Sequence, residues 1–167
     1  MRATHSRSIC RERGIYSVWP KTREKVELEF EQLYRLVLGY RGLSSELAAR
    51  EPDSIELAAL AAYLHSFYTG LENVFKRIAA EVDGQVPSSP AWHNDLLAQM
   101  SSSQPNRPAL INTQLRSRVA DYLVFRHYFR HGYTFTLSWE KMRDLVAEAE
   151  AVLLEVEKAC RALFEGG

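Results

Sequence analysis

Residues 138–163 carry the clearest helical pattern in the chain. Ser138 and Glu140 form a typical helix start, and apolar residues then recur three or four positions apart. The recurring residues are Met142, Leu145, Val146, Ala149, Val152, Leu153, Val156, Cys160 and Leu163. Because an α-helix has about 3.6 residues per turn, this spacing places them all on one side. The pattern predicts a long amphipathic helix that buries one face.

Four further helices are predicted from helix-start residues and from the residues that end them. They cover residues 22–42, 53–84, 92–100 and 112–132. Asp53, with Glu56 three residues later, has the spacing of a capping box, and Asn112 is a suitable N-cap. Gly132 suits the left-handed turn that often follows a helix. Residues 133–137 are β-prone but short enough to be a linker, and no strand pattern competes with the helices.

Four long helices and one short helix, joined by short connections, predict an all-α antiparallel bundle. The length of 167 residues suits one domain with its own core. A bundle of this size often leaves one apolar face for a second copy, so we expect a homodimer. We assign residues 21–167 to this domain. Residues 1–20 contain several arginines and no apolar period, which indicates a flexible leader.

The overall composition excludes several kinds of protein. The 21 basic and 21 acidic residues give no net charge, so the whole molecule is not drawn to nucleic acid or to acidic membranes. No apolar run is long enough to span a bilayer, and the polar start lacks the core of a secretory signal, so we expect no membrane partner. Cys10 and Cys160 form neither a disulfide framework nor a zinc spacing. We therefore expect a cytoplasmic protein.

Positive charge is concentrated between residues 116 and 133. Four arginines in this segment face a single acid, Asp121, which gives a local net charge of +3 with neutral histidines. The arginines are Arg116, Arg118, Arg126 and Arg130. Because the planar guanidinium group can bind two phosphate oxygens at once, we expect this segment to bind phosphate.

Arg126 and His131 have the chemistry that a metal-free ribonuclease needs. They are five residues apart, which separates them by about 140° on an ideal helix. His131 precedes Gly132, where the helix is expected to end, so the two side chains could converge on a groove there or across a dimer axis. A histidine can move a proton near neutral pH, while an arginine stabilises the charge that develops on the phosphorane.

Arg126, His131 and Tyr133 form the pattern R-x4-H-x-Y, which resembles the signature of the HepT-like toxins in the HEPN superfamily. The segment LENVFKRIAAEVDG, the Pro- and Ser-rich loop after it, and the spacing of five later residues resemble the same family. Those five residues are Trp92, His93, Leu96, Leu97 and Met100. The similarity covers most of residues 21–163. The resemblance implies an all-helical homodimer whose two motifs form a cleft that cuts RNA without a metal or other cofactor, leaving a 2′,3′-cyclic phosphate and a free 5′ hydroxyl.

The resemblance also implies a toxin with a protein partner. Members of the family are paired with a small nucleotidyltransferase antitoxin, which transfers AMP to the motif tyrosine, here Tyr133. A bulky, anionic adenylate at that position would occupy the place of the RNA phosphate. Many HEPN motifs have a small polar residue directly after the arginine, where this chain has His127. His127 and Arg130 are candidate donors to RNA phosphate.

Other interpretations remain open from the sequence alone. A HEPN bundle without catalytic activity could serve as an interaction module for a nucleotidyltransferase or a nucleotide. Arg130, with Arg126, could form an ion pair with an acid such as Glu72 instead of binding phosphate. His127 and His131 have a spacing that zinc sites use, but no third ligand stands out, so we expect no metal.

Packing and hydration are sufficient explanations for the remaining conspicuous residues. Trp92 and His93 are expected to anchor the short helix on the bundle. Tyr63, Phe67 and Tyr68 lie among apolar neighbours at helical spacing, which favours the core or a dimer interface. The residues expected to be solvated are Arg116, Arg118, Glu148, Glu155 and Glu157.

Overall fold

The computed structural model describes residues 19–132 and 136–166. Within these residues it contains α-helices and no β-strand, so the predicted all-α fold is confirmed. The helices are α1 (Pro20–Glu46), α2 (Ser54–Ile78), α3 (Trp92–Met100), α4 (Thr113–His131) and α5 (Trp139–Glu165). A short π-helical segment, Ala79–Asp83, continues α2. None of the helices in the described ranges is long and apolar enough to cross a membrane.

Two of the predicted helix starts are confirmed by their hydrogen bonds. The Asp53 carboxylate accepts from the backbone N–H groups of Ile55 and Glu56, and the Glu56 carboxylate accepts from the N–H of Asp53 at 2.9 Å. This reciprocal pair is the predicted capping box. At the start of α4, the Asn112 side chain accepts from the N–H of Leu115 at 2.8 Å. Both caps satisfy donors that a helix leaves unpaired at its first turn.

Three predictions about helix ends are wrong. Helix α1 begins before Thr22, whose buried hydroxyl donates to Glu81, and it continues past Gly42 to Glu46. The apolar contact continues as well, because Leu47 just after the helix is buried in the core. A helical glycine costs only about 1 kcal/mol, which that burial can outweigh. Helix α4 does end at Gly132, but this glycine is extended, with φ −96° and ψ 155°, and not left-handed.

Neighbouring helices run antiparallel, as their side-chain contacts demonstrate. Along each pair, the residue number rises on one helix as it falls on the other. The contacting pairs are Glu29–Arg77 and Tyr40–Tyr63 for α1 and α2, and Arg118–Glu155 and Tyr122–Leu145 for α4 and α5. Short connections between consecutive helices favour this arrangement. It places the amino-terminal half of α4 beside the acidic residues of α5.

Helix α2 lies at the centre of the bundle. It contacts each of the other four helices, and its residues Leu60, Phe67 and Val74 have no exposed surface. The predicted core position of the aromatic run in this helix is confirmed, because Tyr63, Phe67 and Tyr68 are all buried. Burial of apolar side chains on several faces is therefore the main stabilising contribution of α2.

A buried ion pair fixes the loops on either side of α3. The guanidinium of Arg107 forms two hydrogen bonds with the Asp83 carboxylate, at 2.7 and 2.6 Å. Both side chains have almost no exposed surface. Arg107 also donates to the backbone carbonyl of Pro108, and the Gln99 side chain donates to Asp83. Such a fully bonded pair resists rearrangement, so the last turn of α3 is held against the π-helical end of α2.

Replacement of Gly70 by alanine is predicted to destabilise the fold. A Cβ at this position would lie 2.5 Å from Leu33 Cδ2, where α1 approaches α2. Overpacking of this kind costs about 1–3 kcal/mol. In urea unfolding followed by circular dichroism, Gly70→Ala should lose that much stability. The matched control is Gly39→Ala on α1, where nothing lies within 4 Å, and this variant should gain about 0.5–1 kcal/mol. Equal changes in the free energy of unfolding for the two variants would contradict the close approach of α1 to α2 at Gly70.

Candidate active site

A buried carboxylate on α2 organises the polar side chains of this bundle. Glu72 is only 2% exposed and lies on the face of α2 that meets α3 and α4. Its Oε1 is 2.5 Å from His93 Nδ1, and its Oε2 is 3.2 Å from Lys76 Nζ and 4.0 Å from Arg126 Nη2. We call Glu72, Lys76, His93 and Arg126 the Glu72 cluster. It joins three helices through one negative charge.

Arg126 points from α4 into this cluster. Its side chain is 11% exposed, and its Cζ lies 5.9 Å from the centre of the Tyr68 ring. Its Nη1 is 3.3 Å from Nε2 of His93. Its Nε is buried and has no hydrogen-bond partner among the described residues. The guanidinium group therefore has one face on the protein and still has donors that no carboxylate uses.

His93 has a defined tautomer in this arrangement. Arginine can only donate, so the contact with Arg126 Nη1 makes His93 Nε2 the acceptor. The proton then lies on Nδ1, which donates to Glu72. In this tautomer the ring carries a single proton. Its ring also stacks on Trp92 at 3.6 Å between centroids, and Lys76 Nζ lies 4.3 Å from the Trp92 ring. The expected packing role is confirmed for Trp92, which lies against the core. Packing alone does not account for the polar contacts of His93.

The Glu72 cluster carries excess positive charge. With His93 neutral, two cations surround one carboxylate, which leaves a net charge of +1. The sequence leaves open whether the arginines of α4 pair with an acid such as Glu72 or bind phosphate. Arg126 pairs with Glu72. Arg130 is exposed and forms no ion pair with the described residues. An anion such as a phosphate group can therefore be attracted here without removing the buried carboxylate.

His127 extends the cluster towards solvent. It is exposed on α4, and its ring meets the His93 ring edge-on, with 5.5 Å between centroids. Partial burial lowers the pKa of His127, and the positive charges of neighbouring groups lower it further. The permanently charged groups among these neighbours are Arg126 and Arg130. The neutral form of His127 is thereby favoured near neutral pH.

His65 and Tyr68 form the inner wall of the cluster. The His65 ring lies 5.3 Å from the Phe129 ring, and its Nδ1 is buried without a hydrogen-bond partner in the described part of the chain. Burial lowers the pKa of His65, and the charges of Arg126 and Arg130 lower it further. The Tyr68 hydroxyl is also buried and unpartnered within the described ranges. Burial, with the negative charge of Glu72, raises the pKa of Tyr68.

The structure brings some of the sequence-predicted site residues together and leaves others apart. Arg126 and His127 both contact His93. His131 lies exposed in the last turn of α4, and no hydrogen bond of the described residues joins it to Arg126. Tyr133 lies outside the described residues. Within one chain, Arg126 faces the interior of the bundle while His131 faces solvent.

Charged residues away from the cluster are more paired than expected. The prediction that Arg118 is simply solvated is wrong, because it forms ion pairs with Glu148 at 3.1 Å and Glu155 at 2.5 Å. Glu157 likewise accepts from Arg161 at 2.6 Å and from the Tyr34 hydroxyl. Antiparallel packing of α4 on α5 brings Arg118 to its partners, whereas Arg161 and Glu157 lie one turn apart on α5.

Two residues of the cluster, Glu72 and His93, are not assigned to the site by the sequence motif. A signal for Glu72 was available, because it lies between Leu71, Val74 and Phe75 on the most apolar helix. Glutamate is almost never fully buried without a partner, so a glutamate at such a position indicates a buried cation nearby. No comparable local signal marks His93, since its contacts depend on how α3 docks.

Comparison with known proteins gives one finding. A family model described as HepT-like protein matches residues 59–166. This range contains most of α2, all of α3, α4 and α5, and every residue of the Glu72 cluster. A search of curated proteins and a search of solved structures each gave no match.

Replacement of His65 by leucine is predicted to make folding less sensitive to acid. The lowered pKa of His65 means that the unfolded chain binds a proton more readily than the folded protein. Stability is therefore lost as the pH falls below the unfolded-state value of about 6.5. His65→Leu removes this loss, and it also removes an unpartnered buried nitrogen, with a gain of up to about 1 kcal/mol. Urea unfolding at pH 7 and pH 5 should show the variant's advantage growing at the lower pH. A constant difference would contradict this.

Proposed function

Because the chain belongs to the HepT-like protein family of the HEPN superfamily, we propose that it is a metal-independent endoribonuclease and the toxin of a toxin–antitoxin pair. The observation that carries this proposal is the position of Arg126. The arginine of the family motif lies in a cluster with excess positive charge, at the surface end of a buried network. That environment suits a phosphodiester, which is the group that an endoribonuclease must bind.

In the proposed reaction, Arg126 binds the non-bridging oxygens of the scissile phosphate. His131 accepts the proton of the ribose 2′ hydroxyl, whose oxygen attacks phosphorus and forms the phosphorane. The guanidinium stabilises the negative charge that grows there. The bond from phosphorus to the 5′ oxygen then breaks, and that oxygen takes a proton from a protonated histidine. The products are a 2′,3′-cyclic phosphate and a free 5′ hydroxyl. His127 and Arg130 contact neighbouring phosphates.

In this proposal, a second copy of the chain brings a His131 side chain close to Arg126. Arg126 and His131 point in directions about 140° apart on one helix. The outward face of α4 carries His131, His127 and also Val124, which is 67% exposed. We propose this face of α4 as the one along which two copies meet. Pairing of two chains along α4 would set His131 of one beside Arg126 of the other and provide two histidines for the two proton transfers.

One observation favours a second candidate function. The Arg126 side chain is 11% exposed and already interacts with Glu72 and His93. An arginine in that position can also be a purely structural ion pair. The alternative is therefore a non-catalytic HEPN module that binds a nucleotidyltransferase or a nucleotide.

Two conservative variants are predicted to abolish RNA cleavage. The purified protein should cut RNA in the presence of EDTA. Arg126→Lys keeps the charge beside Glu72 but loses the planar fork, and it should reduce the rate by about 10²-fold or more. His131→Asn cannot move a proton and should reduce the rate by about 10²–10⁴-fold. Denaturing gels with an end-labelled RNA measure both.

The control for this experiment is Arg41→Ala. Arg41 is an exposed arginine on α1 that pairs with Glu150 of α5, away from the Glu72 cluster. It should retain the wild-type rate. Intact RNA with every protein, the wild type included, would favour the non-catalytic module. Equal cleavage by wild type, Arg126→Lys and His131→Asn would indicate a contaminating nuclease.

The antitoxin in this proposal is a nucleotidyltransferase that acts on Tyr133. Transfer of AMP to the tyrosine hydroxyl breaks the bond between the α- and β-phosphates of ATP and releases pyrophosphate. The adenylate places a negative charge and a bulky group two residues from His131. It would compete with RNA for the guanidinium of Arg126.

Coexpression with a nucleotidyltransferase of the proposed antitoxin class is predicted to increase the mass of the protein by whole adenylate units. Tyr133→Phe should show no increase, because it lacks the hydroxyl that accepts AMP. Tyr128→Phe, which changes another tyrosine at the end of α4, should be modified like the wild type. Intact-mass spectrometry distinguishes the three proteins. Full neutralisation with an unchanged mass would instead indicate that the antitoxin masks the cleft.

A further inference from the structure

We infer that His93 is a positioning residue of the proposed ribonuclease, because its neutral imidazole holds the Arg126 guanidinium ready for an RNA phosphate. The inference rests on the proposed function and adds a residue outside the R-x4-H-x-Y pattern. His93 is 12% exposed, and its two ring nitrogens contact two different partners. Nδ1 donates to Glu72 at 2.5 Å, and Nε2 accepts from Arg126 at 3.3 Å.

His93 limits how strongly Glu72 can bind Arg126. A free carboxylate beside an arginine would form two parallel hydrogen bonds with it and neutralise it. Here Oε1 of Glu72 is taken by His93, and Oε2 is shared with Lys76 at 3.2 Å. The nearest guanidinium nitrogen of Arg126 consequently stays 4.0 Å from the carboxylate. The guanidinium is held in place, but not all of its N–H donors are used by the protein. The remaining donors can bind an anion.

The position of His93 is itself well determined. It lies in the first turn of α3, whose far end is tied to Asp83 through Gln99 and through the buried Arg107. At its own end, His93 stacks on Trp92, and Lys76 lies over the Trp92 ring. Such support from rigid elements keeps a polar contact within the small tolerance that catalysis requires.

A second proton on His93 would break the contact with Arg126. It would place an N–H on Nε2, opposite the Nη1 of Arg126, where an acceptor is needed. The groups that face His93 are Glu72 and Lys76 from α2, Arg126 and His127 from α4, and Trp92 from its own helix. Positioning by His93 therefore requires the tautomer that leaves Nε2 without a proton.

Three substitutions of His93 separate positioning from packing. His93→Gln offers an amide oxygen that can accept from Arg126. His93→Asn offers a donor to Glu72 but does not reach Arg126, and His93→Leu offers neither. The kcat for RNA cleavage should fall about 10²-fold in the leucine and asparagine variants, with KM little changed. The glutamine variant should stay within about tenfold of the wild type, because it restores the acceptor.

The ranking of the variants decides the inference. Thermal unfolding is measured for each protein, because a packing role would order the activities by stability and not by the acceptor at Nε2. Recovery of kcat in His93→Gln alone supports positioning. An unchanged kcat in His93→Leu, or equal losses in the leucine and glutamine variants of similar stability, would overturn it.

Histidine ¹⁵N NMR of the wild-type protein provides a readout that needs no activity. A neutral His93 with its proton on Nδ1 supports the inference, while a proton on Nε2 overturns it even if the protein cuts RNA. If His93 carries its proton on Nδ1 but the protein neither binds nor cuts RNA, the proposed function is wrong. The role of His93 in catalysis is then wrong as well, but its contact with Arg126 is still supported. The two failures are thus distinguishable.

Discussion

The burial of one carboxylate, that of Glu72, determines how α2, α3 and α4 can meet. An isolated carboxylate in the interior would cost several kcal/mol, so its partners have to stay in place whenever the protein is folded. Lys76, His93 and Arg126 provide them, one from each of the three helices. A requirement of folding thereby places the motif arginine beside a histidine and orients both. The same constraint that stabilises the helix junction also prepares the candidate active site.

The fold was largely predictable from local patterns, because the helical stripe of α5 and the caps at Asp53 and Asn112 depend on neighbours in sequence. The ends of α1 and the backbone conformation of Gly132 were predicted less well. Apolar packing carries α1 through Gly42, and Gly132 adopts an extended backbone where a left-handed turn was predicted. The family motif drew attention to Arg126. Glu72 lies outside the motif, although its place among apolar residues of α2 indicates a buried cation nearby. No comparable local signal marks His93, because its contacts depend on how α3 docks.

The cluster also concentrates the unsatisfied polar groups of the described residues. The buried side-chain atoms without a hydrogen-bond partner there are Nδ1 of His65, the hydroxyl of Tyr68 and Nε of Arg126. Each unsatisfied group costs about 1–3 kcal/mol. The third atom belongs to the guanidinium of Arg126, and the charge of that group acts on both His65 and Tyr68. Proteins keep locally unfavourable arrangements mainly where function requires them, which agrees with a binding role for this part of the bundle.

A structure of the protein with a short RNA that carries a 2′-O-methyl group at the cleavage site tests the central claim most directly. The claim is that Arg126 and His131 act on the same phosphodiester, although one chain directs them apart. The predicted result is a single phosphate within hydrogen-bond distance of the Arg126 guanidinium, with a His131 imidazole from a paired chain beside its 2′ oxygen. A phosphate bound away from Arg126, or two chains paired so that every His131 faces open solvent, would contradict the account.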